Sequence, residues 1–137
     1  MKLRITPACL FAFLILSFSS FLIGCGGSSK SNAEPTLAVT TTPAIGSTQT
    51  PAVGPSFPQN VTITSGMPAK GVTISIKATP DGSANAFYTK TISTTAKSND
   101  FTISGQQVAD MNVVSITVTS NSTASNTWTG SYRYSAK

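Results

Sequence analysis

The run Val72-Thr73-Ile74-Ser75-Ile76-Lys77 constrains the fold of this chain more than any other stretch. Apolar and polar residues alternate one by one. In an extended strand every apolar side chain therefore falls on one face and every polar one on the other. β-Branched residues dominate the run, and their stiff side chains suit a pleated sheet better than a helix. A strand with one apolar face needs a second layer to cover it. No helical period between Asn60 and Lys137 offers a helix for that purpose. Further short runs do offer strands: Val61-Thr62-Ile63-Thr64, Ala86 to Ile92, Phe101-Thr102-Ile103, Val113 to Thr119 and Thr127 to Tyr134. Turn residues separate them, with Pro80-Asp81-Gly82 the plainest case: Pro presets φ and Gly tolerates the tight exit. The connections are too short for parallel crossovers. The expected fold is all-β, a small antiparallel β-sandwich of six to seven strands over residues 60–137.

Ahead of that domain the chain changes character twice. Lys2 and Arg4 precede an apolar stretch, Ala8 to Leu16, which continues more loosely through Phe18, Phe21, Leu22 and Ile23. This is the plan of a signal peptide, with the cations kept on the cytoplasmic side. The stretch ends at Leu22-Ile23-Gly24-Cys25, which resembles the bacterial lipobox at all four positions. The resemblance implies residues 1–24 as a signal peptide, cleavage between Gly24 and Cys25, and lipidation of the Cys25 sulfur. Two or three acyl chains would hold the protein to a membrane stably, where one would not. Gly26, where the family's sorting rule places Asp for inner-membrane retention, implies the outer membrane, facing the periplasm or the surface.

Residues 25–59 read as a tether. Pro35, Pro43, Pro51, Pro55 and Pro58 each remove a backbone donor. The pattern Thr42-Pro43-Ala44-Ile45-Gly46 recurs as Thr50-Pro51-Ala52-Val53-Gly54. At roughly 3.1 Å per residue such a spacer would reach on the order of 100 Å. Within it, Leu37-Ala38-Val39-Thr40 is a candidate seventh strand docking on the domain edge. The pattern of short β-runs resembles immunoglobulin-like and fibronectin-type-III-like modules of bacterial surfaces, without the antibody-type Cys pair.

Composition narrows the chemistry. Cys9 lies in the leader and Cys25 is claimed by lipid, so the mature domain is expected to carry no thiol and no disulfide. Outside the leader, Lys30, Lys70, Lys77, Lys90, Lys97, Arg133 and Lys137 are scattered. Nucleic-acid binders cluster such charges to neutralise several phosphates together, so no nucleic acid is expected. The chain has no His, and hence no imidazole base or ligand. No phosphate-binding glycine motif occurs, and neither a cofactor nor a metal is expected. The mature acids are Glu34, Asp81, Asp100 and Asp110. Asp100 and Asp110 flank the Phe101 run and could approach each other, but are read as ordinary loop polars.

The strongest functional lead is aromatic. Trp128, Tyr132 and Tyr134 share one face of the last run and could form a platform for a sugar ring or a partner. The alternative places that face in the core. The expected function is a membrane-anchored, non-catalytic envelope lipoprotein presenting a β-sandwich to a protein partner. The alternative is a glycan-binding lipoprotein that uses the aromatic face.

Overall fold

A computed structural model describes residues 33–51, 53–106, 111–135 and 137. Ala33–Lys137 forms one compact unit. Seven strands build it: β1 (Val39–Thr42), β2 (Ser56–Ile63), β3 (Val72–Pro80), β4 (Tyr88–Thr94), β5 (Ser98–Ser104), β6 (Met111–Ser120) and β7 (Thr127–Ser135). They form two antiparallel sheets, in the orders β1-β2-β5 and β4-β3-β6-β7. The small antiparallel β-sandwich expected from the alternating runs is the fold, and no helix occurs among the described residues.

The alternation in β3 is carried through in space. Val72, Ile74, Ile76 and Ala78 are fully buried, while Thr73, Ser75 and Lys77 face outward. The register pairs Ile74 with Ile92 and Val118, and Ile76 with Ile116. From the smaller sheet, Phe57, Val61, Ile63, Phe101 and Ile103 close the core. A fully buried side chain of this size contributes roughly 1.5–3 kcal/mol. No cysteine is among the described core residues.

The seventh strand comes from the stretch read as tether. β1 pairs with β2 from Val39↔Ile63 to Thr42↔Asn60, two residues later than the candidate Leu37–Thr40. Leu37 is 5% exposed and belongs to the core. Its backbone N–H donates to Asn126 Oδ1 at 2.9 Å, and Asn126 Nδ2 donates to the carbonyl of Pro35 at 3.0 Å. One asparagine at the β6–β7 turn thus holds the incoming chain through both ends of its amide. The chain then crosses to the other sheet. Gly46 N–H donates to Ser131 O and Gln49 N–H to Arg133 O, both at 2.8 Å, so residues 46–49 lie along the edge of β7. Ile45 packs with Trp128 over Gly130. A Cβ at Gly130 would come within 2.7 Å of both side chains, so glycine allows this closure. The boundary drawn at residue 59 falls inside β2, and residues 33–49 belong to the sandwich. The physical reason is that Thr- and Pro-rich extended backbone serves an edge strand as well as a spacer. The contacts that decide between them lie about 90 residues away, at Asn126.

Strands β1 and β5 edge the smaller sheet and β4 and β7 the larger, with residues 46–49 lying along β7. On β4, Lys90 stands on the core-side face opposite Ile76, yet is exposed. A charge pointing inward on an edge strand disfavours pairing with another sheet.

Candidate functional site

The outward face of the larger sheet is an array of hydroxyls. The register sets Ser93, Thr73, Thr119 and Thr127 in one row across the four strands, and Thr91, Ser75, Thr117 and Thr129 in the next. Thr89, Ser115 and Ser131 continue the pattern, interrupted by Lys77; Val113 and Arg133 end it. Neighbouring hydroxyls bind one another: Thr73 with Ser93 at 3.0 Å, Ser75 with Thr91 at 3.1 Å, and Thr127 with Thr119 at 3.2 Å. Thr73 also donates to Asn121 Oδ1 at 2.7 Å. The two complete rows contain no titratable group. They offer donors, acceptors and Thr methyls, which suits neutral hydrogen-bonded contact and supplies no base to activate a hydroxyl.

The aromatic platform does not form. Trp128, Tyr132 and Tyr134 do share a face of β7, but it is the core-side face. Tyr132 is 2% exposed and Tyr134 is 0%, while Trp128 is half-buried against the core. Phe57 stacks on Tyr134 with ring centroids 4.2 Å apart and planes at 17°, and tilts against Tyr132 at 6.1 Å. Alternation fixes which residues share a face, not whether that face looks inward. An aromatic ring with a polar tip suits either side.

Neither tyrosine hydroxyl has a hydrogen-bond partner among the described residues. Burial raises both pKa values above the ordinary 10.0, Tyr134 to about 12 and Tyr132 further, with help from Tyr134. A raised folded-state pKa favours folding fully below the unfolded value and loses that advantage as pH rises through the folded value. The domain should therefore weaken above about pH 10. In an alkaline titration, tyrosinate absorbance from these two rings should appear together with loss of β-sheet circular dichroism. Their ionisation near pH 10 in a still-folded protein would contradict the burial.

The acids are dispersed. Asp81 pairs with Arg133 at 3.2 Å on the surface. Asp100 accepts from Asn60 Nδ2 at 2.7 Å on the outer face of the smaller sheet. Asp110 lies outside the described residues, as do Gly24 and Cys25. Glu34 accepts from Thr123 at 3.3 Å and also from Asn126. Hydrogen bonding from Ser120, opposed by desolvation and aided by Asn126 and Thr123, holds its carboxyl below the ordinary 4.5. Its contribution to holding the incoming chain is present above the unfolded pKa and lost as pH falls through the folded one. Among the described residues no group of three or more Asp, Glu, His or Cys gathers to hold a metal.

A shallow groove of about 390 Å³ opens where the β2–β3, β4–β5 and β6–β7 connections meet, lined by Lys70, Ser93, Thr94, Thr95 and Asn121. Asn121 ties it together: its Nδ2 donates to Lys70 O at 3.2 Å and its N–H to Gly71 O at 3.0 Å. Sequence reading passed over both this groove and the hydroxyl rows, because Thr and Ser on a strand's polar face look like ordinary solvated surface. Comparison with protein-family models, with curated proteins and with solved structures finds no match.

Proposed function

We propose that this chain is a lipid-anchored, non-catalytic protein of the bacterial cell envelope that presents its β-sandwich to another envelope protein. The observation that carries the reading is Leu22-Ile23-Gly24-Cys25 at the end of an apolar leader that starts with Lys2 and Arg4. Gly26 in place of Asp supports the outer membrane as the destination. The surface it presents is the hydroxyl face, whose two complete rows are neutral, with Lys77 and Arg133 beyond them. The sandwich itself reads as immunoglobulin-like or fibronectin-type-III-like, with three strands against four; its fourth strand lies on the sheet of the third, unlike the constant-type immunoglobulin order. The glycan alternative keeps a single ring, Trp128, now half-buried.

Metabolic labelling with a radioactive fatty acid tests the anchor. The wild-type protein should incorporate label and Cys25→Ser should incorporate essentially none. Mass spectrometry of the native N-terminus should find acylated Cys25. A terminus at Met1, or a free thiol at position 25, would overturn the proposal.

A further inference from the structure

Resting on the reading of Cys25 as the lipidated residue, we propose that the sandwich end where Ala33–Leu37 docks lies against the bilayer, with Lys70 and Lys97 engaging anionic lipid headgroups. The argument begins with chain length. Residues 33–49 are part of the sandwich, so only Gly26 to Asn32 remain between the lipidated residue and the domain. The eight steps from Cys25 to Ala33 span at most about 29 Å when fully extended. The nine steps of β6 alone run about 31 Å, and the turns at both ends make the sandwich longer still. The connection is thus shorter than the domain is long, and an inverted domain could not bring its far end to the membrane.

The near end has the right chemistry. Residues 33–38, 64–71, 95–97 and 121–126 gather there, as the strand registers require. Lys70 and Lys97 are both exposed. The acid at this end among the described residues, Glu34, is engaged by Thr123 and Asn126. Lys70, Ser93, Thr94, Thr95 and Asn121 line the shallow groove at this end, residue types whose side chains can donate to phosphate oxygens. At the opposite end Asp81 and Arg133 neutralise each other. Basic residues held within a Debye length of an anionic leaflet are drawn to it.

The acylated protein has no free thiol by this reading, so single cysteines can be labelled selectively. Ala96→Cys, in the β4–β5 connection, and Ser83→Cys, in the β3–β4 turn at the far end, are each coupled to a fluorophore. The proteins are reconstituted into phosphatidylcholine vesicles, with or without phosphatidylglycerol, containing a headgroup-linked quencher. The Ala96 site should be quenched at least about twofold more in anionic vesicles than in neutral ones, the Ser83 site unchanged, and K70E/K97E should abolish the difference. Equal quenching at both sites, or no dependence on phosphatidylglycerol, in protein that still floats with the vesicles overturns the orientation alone. Protein that fails to float overturns the anchor beneath it.

Discussion

Gly71→Ala should lower the thermal midpoint by about 10–20 °C, reflecting a loss of roughly 2–4 kcal/mol at about 4–8 °C per kcal/mol for a domain of this size. Two costs combine. Gly71 has φ of +73°, a region that costs an L-residue about 1–2 kcal/mol. A Cβ there would also land on the carbonyl oxygen of Thr94, and backbone cannot swing aside as a side-chain tip can. The turn is fixed from both directions, since Gly71 N–H donates to Pro68 O at 2.8 Å and Gly71 O accepts from Asn121. Gly82→Ala separates the two costs. Gly82 has φ of +80° but nothing within 4 Å of an added Cβ, so its substitution should show the conformational part alone. Thermal scans by circular dichroism, run side by side, make the comparison. Equal shifts for the two variants would mean that the Thr94 clash is relieved without cost.

Phe57→Ala should cost about 3–5 kcal/mol through the lost ring and the cavity left behind. Phe57 is the ring on which Tyr134 stacks and against which Tyr132 tilts, so up to about 1.5 kcal/mol of aromatic pairing goes with it. Against a total stability of about 5–15 kcal/mol, this removes a large share. In urea, with a slope of about 1–3 kcal/mol per molar, the midpoint should fall by about 2 M with the slope unchanged. Trp128 fluorescence provides the signal. The result also bears on architecture: if residues 25–59 were a spacer, the substitution would do nothing, and a shift below about 0.5 M would restore that reading.

That contrast shows what the residues alone could tell. The fold class was legible because β3 and β6 alternate cleanly over long runs. β1 was half legible. Val39-Thr40-Thr41-Thr42 has one large apolar residue, and its burial partner Leu37 precedes the strand proper. β2 was truncated in the reading, because Pro58 interrupts Phe57 and Gln59, whose side chains nonetheless continue the buried face set by Val61 and Ile63. Pro58 faces outward on that strand and leaves the inward alternation intact. In β7 the sharing of a face by Trp128, Tyr132 and Tyr134 was legible, but its direction was not. That depends on Phe57, 75 residues from Tyr132 in the chain and adjacent to it in space. The hydroxyl rows depend in the same way on the registers of three strand pairs, and no single run contains them.

The route by which the chain joins the sandwich also sets how it would respond to force. β1 begins at the docking end and runs away from it, antiparallel to β2, before residues 46–49 fasten along β7. Tension applied from the N-terminal side acts along the axis of β1. The hydrogen bonds between β1 and β2 are then sheared together, not peeled apart one after another. A protein held at one end by lipid and grasped across a broad sheet by a partner would thus meet a load with its whole first strand engaged.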